Sequence, residues 1–244
     1  MAASLRGSGT SSSGGTADLV VVTDETPVTG DLILIVTDVN ITPPFPTPAC
    51  TGFTIIETSP PSDFNQTVLL GRIANGSETD TFTITGWGSV DGSKIAVVLI
   101  YQDADSVLPT NAVSAYDSSA STTWSIPAIT TAANDSVDLA IVGFGGNIDM
   151  GAPPNFSSWG SSLTELFDVG ANVSGFYYSG LGIASAVRAS AGLQAATTVT
   201  ADGNDVNTSI RVEIKAAGGA AAPVGPIIGG KLAGHSILQG RLIR

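Results

Sequence analysis

The stretch Thr79–Trp87, TDTFTITGW, decides the fold class. In an extended chain Phe82 and Ile84 fall on one side, and Thr81, Thr83 and Thr85 on the other. Successive side chains of a strand point to opposite faces, so this period of two is what a half-buried strand requires. The same pattern recurs where Ile210, Val212 and Ile214 alternate with Arg211, Glu213 and Lys215. Between the two lies KIAVVLIY (94–101), apolar on both faces, which predicts a central strand.

Outward from these anchors the pattern repeats. DLVVV (18–22) and LILIVT (32–37) flank a turn carrying Pro27 and Gly30. Further strand candidates are 53–58, 66–74, 112–117, 122–126, 137–144, 162–167, 173–178 and 195–200. Short strands punctuated by Gly, Pro, Asn and Asp predict an all-β fold, an antiparallel β-sandwich or jelly-roll-like arrangement. A parallel α/β fold would need helices between its strands. The one serious helix rival is IASAVRASAGLQAA (183–196), where the alanines favour helix and the serines and Gly192 weaken it. PPFPTPAC (43–50) must be loop, because proline lacks the ladder donor. There is no internal repeat.

Composition divides the chain in three. Residues 1–17 are Ser/Gly-rich and are expected to be a flexible N-terminal arm. Residues 18–217 hold nearly all the aromatic and β-branched residues and make up the sandwich domain. Residues 218–244 form a C-terminal arm rich in Gly and Ala but dotted with Ile227, Ile228, Leu232, Ile237, Leu238, Leu242 and Ile243. Those seven are too many for a solvated linker and too broken by glycine for a domain. Such a segment gains order by lying on something else, which marks them as assembly and anchoring residues.

The formal net charge of −12 disfavours binding to nucleic acid or anionic lipid through a broad electrostatic footprint. The charge is unevenly placed. Residues 218–244 carry Lys231, Arg241 and Arg244 with no acid, whereas residues 18–217 carry 5 basic and 21 acidic side chains. An acidic body with weakly basic ends suits packing of one copy's arm on the next. The first residues lack the apolar stretch of a secretory signal, and no apolar run approaches the roughly 20 residues of a membrane helix. The expectation is synthesis in the cytoplasm and no membrane partner.

A search for chemistry yields little. Cys50 is the single cysteine, which excludes an intrachain disulfide or a cysteine zinc site. His235, the single histidine, lies in the C-terminal arm, so neither a Ser-His-Asp set nor a histidine metal site is expected. Asp103 and Asp105 (QDADS) could gather a cation, though loop acids more often solvate a turn. Among 21 acids, some pair will also fall at glycosidase distance by chance. ADGNDVN (201–207) offers Asp202, Asn204 and Asp205 as calcium donors, but lacks the bidentate Glu of an EF-hand and is equally hairpin chemistry. GLGIAS (180–185) has two of the three fingerprint glycines and no strand–helix context. Seven Asn-x-Ser/Thr sequons, Asn40, Asn65 and Asn75 among them, are expected by chance in so polar a chain. Neither a metal nor a cofactor is expected. Of the aromatics, Trp124 reads as core. Trp159, in NFSSWGSS, and one of the adjacent Tyr177 and Tyr178 are the candidates for an exposed sugar-stacking face.

Several segments together resemble a β-sandwich class common among structural proteins of tailed bacteriophages. They are TGDLILIV (29–36), TGFTIIE (51–57), KIAVVLIYQDAD (94–105), STTWSIPAITT (121–131) and SVDLAIVGF (136–144). In that class a Pro-x-Gly-aromatic-Thr element precedes a strand. The corresponding PACTGFTII has Thr51 interposed, and Phe53 where tryptophan is common. The ending HSILQGRLIR also looks like the ends of phage structural proteins. The resemblance spans about residues 18–215 and carries over no active-site residue. It implies a non-enzymatic virion protein of capsid-decoration or head-fibre type. Its implied partners are copies of itself and other virion proteins such as the major capsid protein. The alternative it leaves is a tail fibre or tail-tip adhesin that binds host surface glycan.

Overall fold

The computed structural model describes residues 1–15, 17–41, 43–62, 64–87, 92–147, 155–173 and 177–218. Among these there is no helix, and every strand pairing is antiparallel. The all-β expectation holds. One sheet has five strands in the order β1 (Ser4–Gly14), β7 (Ser93–Gln102), β3 (Leu32–Asn40), β5 (Asn65–Ile73) and β4 (Thr54–Thr58). The other runs β11 (Phe156–Ser157), β15 (Thr197–Ile214), β10 (Ser136–Asn147), β13 (Tyr177–Arg188) and β12 (Thr164–Val173), with β8 (Ala112–Ile126) also paired to β15. Two ribbons complete the fold: β2 (Leu19–Val22) with β6 (Thr81–Ile84), and β9 (Ile129–Thr131) with β14 (Gly192–Gln194).

Strand alternation sorts the apolar residues into three layers. Leu34, Val36, Val97 and Leu99 of the five-stranded sheet meet Leu139, Ile141, Ile183 and Ile210 of the six-stranded sheet. On the far side of the first sheet, Ile33, Ile35 and Val98 pack under the β2–β6 ribbon through Leu19, Val21, Phe82 and Ile84. On the far side of the second, Val142, Phe144 and Ala184 pack under Trp124, Phe156 and Val199. β7 and β3 are therefore covered on both faces, which is why KIAVVLIY and LILIVT are apolar runs rather than alternating ones.

Polar residues inside these layers tie the sheets together. Asp38 continues the inward face of Leu34 and Val36, and both its carboxyl oxygens accept from Asn65 Nδ2 (2.8 and 2.9 Å). On the outer face of β10, buried Asp138 is held by Arg211 Nε (2.8 Å), Arg211 Nη2 (2.8 Å) and Arg188 Nη2 (2.6 Å). Arg211 Nη1 also donates to the carbonyls of Pro127 (2.9 Å) and Ala195 (2.8 Å), which pins the β9–β14 ribbon to the sheet.

The structure corrects one expectation and decides two open readings. Ser4–Gly14, read as a flexible arm, is a full strand paired to β7. Low β propensity in a Ser/Gly segment is overridden by a continuous ladder along a buried neighbour. The helix rival 183–196 contributes the second half of β13, where Leu181 and Ile183 point inward and Ala184 outward. Its alanines serve a crowded central strand. Finally, 201–207 is not a hairpin turn but an irregular stretch inside β15, with register shifts between Thr200 and Asn207. That bend turns Val199 and Ala201 over the outer face of the six-stranded sheet.

Candidate functional site

The surface of interest runs along β12, the last strand of the six-stranded sheet. It has an aromatic and acidic shoulder on one side and a groove facing β1 on the other.

The shoulder is built from the core outward. Phe144 stacks on Trp124 (centroids 5.6 Å apart, planes 16°), and Phe156 meets Trp124 edge-on at 5.3 Å. Trp159 lies 6.2 Å beyond Phe156 and is the half-buried end of this row. Gly182 of β13 makes the row fit, since a Cβ there would stand 2.7 Å from the Phe156 ring. This gives the second glycine of GLGIAS a packing role. The loop after β11 turns through left-handed residues at Ser158, Ser161 and Ser162, and Arg188 Nη2 holds the Ser161 carbonyl at 3.0 Å.

Four polar side chains lie along this row, and one of them holds Trp159. Its indole Nε1 donates to Glu165 Oε2 (2.8 Å). The Phe156 N–H donates to Asp168 Oδ2 (2.9 Å), while Asn155 donates to both carboxylate oxygens of Asp202 from its backbone and its Nδ2 (2.7 Å each). Burial pushes the Asp168 carboxyl above its ordinary range. The neighbouring Glu165 and Asp202 charges push the same way, and the Phe156 N–H opposes them. An indole edge beside acceptor-rich acids and an amide has the polar vocabulary of sugar recognition.

The groove lies between the two sheets on the side where both end in β1 and β12. About 420 Å³ in volume, it is lined by Thr10, Ser11 and Ser12 of β1, Ile95 of β7, and Asp168, Val169 and Gly170 of β12. Thr10 and Ser12 face the opposite sheet yet are exposed, because β12 does not cover them. The opposite side of the stack is stitched. There the Ser114 hydroxyl of β8 sits 3.2 Å from Glu57 Oε1 and 3.3 Å from the Thr58 carbonyl of β4.

The sequence-derived candidates fare unevenly. Trp159 sits on the surface shoulder, but Tyr178 is only 5% exposed and packs in the layer beneath it, so it offers no face for stacking. The side chain of Tyr177 lies outside the described residues, as do the seven apolar anchors Ile227, Ile228, Leu232, Ile237, Leu238, Leu242 and Ile243, and His235. Asp103 and Asp105 form a turn in which the Asp103 carbonyl accepts from Ala217 N (2.7 Å) and Asp105 N donates to the Lys215 carbonyl (2.8 Å). Among the described residues no group of three His, Cys, Asp or Glu is placed to hold a metal ion, and no helix is long and apolar enough to cross a membrane. The acids beside Trp159 escaped notice because Glu165, Asp168 and Asp202 are far apart in sequence and share no spacing motif. No family model, curated protein or solved structure matches the chain.

Proposed function

We propose that the two stacked sheets are a jelly-roll-like β-sandwich, and that the chain is a non-enzymatic structural subunit of a phage virion, of capsid-decoration or head-fibre type. It stabilises the particle by contacts between copies and with other virion proteins such as the major capsid protein. The observation that carries this reading is the asymmetry of the sheet stack. One side is sealed by β4 and β8, whereas the other ends in two adjacent strands with a groove between them. Unpaired strand edges invite pairing with another chain, and monomeric proteins usually blunt them with charge, proline or a covering element. β1 has Arg6 as its only charge and no proline. The resemblance of five strand segments to phage structural proteins and the basic, apolar-dotted C-terminal arm point the same way.

The test is copy number per particle, by quantitative mass spectrometry of purified virions against the major capsid protein. Hundreds of copies are expected. Threes or sixes would move the chain to the tail and favour the second reading.

That second reading, a tail fibre or adhesin for host glycan, is favoured by Trp159 at the rim of the Glu165–Asp168–Asp202 shoulder. It predicts glycan-array binding that falls at least tenfold in Trp159→Ala. An array without a single binder would eliminate it.

A further inference from the structure

The open side of the stack can be read hydrogen bond by hydrogen bond. In an antiparallel ladder the N–H and C=O of one residue point to the same neighbour, and the direction alternates along the strand. Both backbone groups of Ser8 point away from β7. Its carbonyl accepts from Asp24 N (3.0 Å), and its N–H donates to Asp24 Oδ1 (2.6 Å). The β1–β7 register is regular from Gly7 to Gly14, so the backbone groups of Thr10 and Ser12 point the same way as those of Ser8. Among the described residues nothing pairs with them. They border the groove whose floor is Ile95 and whose far wall is β12.

The chain itself supplies a segment that fits. The last described residues leave the body beside the start of β1: Ala216 bridges Ala104, Ala217 N donates to the Asp103 carbonyl, and Gln102 Nε2 donates to Ser4 Oγ (3.1 Å). Twenty-six residues, 219–244, follow. The first twelve, with four glycines and two prolines, can span up to about 40 Å at roughly 3.3 Å per residue. The next thirteen, KLAGHSILQGRLI (231–243), place Leu232, Leu238 and Leu242 on one parity and Lys231, His235, Ile237, Gln239, Arg241 and Ile243 on the other. This segment carries cations and no acid. Asp168 borders the groove, but its carboxyl turns to the outer shoulder, where it accepts from the Phe156 N–H.

We infer that the β1/β12 cleft is a strand-acceptor site filled by residues 231–243 of a neighbouring copy, added along the outward edge of β1. The inference rests on the assembly reading above and names the contact through which copies join. Backbone pairing to Thr10 and Ser12 supplies the attachment, and the leucine parity turns into the groove between β1 and β12.

The test mixes two forms in a Cys50→Ser background. One carries Thr10→Cys and ends at Gly218. The other is full length, with Leu232, Ile237, Leu238 or Leu242 replaced singly by Cys. A disulfide between the two forms at one or two arm positions is expected. A cross-link that forms only when both cysteines share one chain would mean that the arm folds back on its own body. One between two Thr10→Cys copies would mean β1-to-β1 pairing, and either result overturns the inference. Full-length Thr10→Pro supplies an independent readout, because it removes one outward N–H and leaves the β1–β7 bonds intact. Its self-association in sedimentation should weaken at least tenfold with an unchanged circular dichroism spectrum, and unchanged association would also overturn the proposal. Cross-linking by a chain missing from purified virions would sink the virion reading alone. Hundreds of copies on virions without the cross-link would sink this one alone.

Discussion

At the scale of single residues, Asp38 is the most informative side chain in the molecule. Thr208 Oγ1 lies 2.6 Å from Asn65 Oδ1, an atom that can only accept, so the one hydroxyl hydrogen of Thr208 is spent there. Thr208 must then accept from Thr67, 2.7 Å away. That leaves Thr67 no hydrogen for Asp38 Oδ1 at 2.8 Å, and only a protonated Asp38 fills the contact. Hydrogen counting thus agrees with burial, which drives the Asp38 pKa well above its ordinary value against the opposing hydrogen bond of Asn65. Above pH ~4 the unfolded chain releases this proton and the folded chain keeps it. Stability from this group is therefore complete below the unfolded pKa. It declines by about 1.4 kcal/mol per pH unit until the folded pKa is reached. Asp38→Asn puts an amide donor where the carboxyl hydrogen sat. It should be at least as stable as the parent at pH 7 and should lose that slope, as read by thermal melts from pH 4 to 8. An unchanged slope in the variant would show that Asp38 is ionised over this range.

Among the elements, the β9–β14 ribbon shows how side chains replace an apolar interface. Arg211 holds two of its flanking carbonyls, and Glu213 Oε1 accepts from Ala132 N and Ala133 N (2.8 Å each). Arg211 can do this only because Asp138 neutralises it in a site where both side chains are 0% exposed. A buried pair contributes little net stability, but losing one partner strands the other charge. Asp138→Ala should therefore cost about 3–5 kcal/mol in urea unfolding. Hydrogen exchange should quicken first at Ile129–Thr131 and Gly192–Gln194. The sequence pattern had placed Arg211 and Glu213 on the polar face of a half-buried strand. The alternation was legible, but that the polar face would itself be roofed over was not.

For the molecule as a whole, the closeness of the two sheets is set where β10 crosses Asp38 and Thr67. A Cβ on Gly143 would stand 2.0 Å from Thr67 Oγ1 and 2.3 Å from Asp38 Oδ1. Gly143→Ala must therefore either break the hydrogen-bonded ring or push the sheets apart. A loss of about 1–3 kcal/mol or more is expected from differential scanning calorimetry. Replacing Ser119, on an exposed stretch of β8, by Ala should stay within ~0.5 kcal/mol. The same stacking leaves one flank stitched by Ser114 and the other open at β1 and β12, and the proposed assembly rests on that difference.

What the sequence by itself determined is the element type wherever burial imposed a period: TDTFTITGW, the 210–215 alternation and the doubly covered runs of β3 and β7. These patterns are local consequences of which face meets water, and a single chain displays them directly. Tertiary structure alone decided that Ser4–Gly14 is a strand, that the alanines of 183–188 sit in the middle of a sheet, and that Trp159 stands beside Glu165 while Tyr178 does not. Each depends on a partner far along the chain, whose ladder bonds and steric limits outweigh local propensity. No spacing within a segment encodes them.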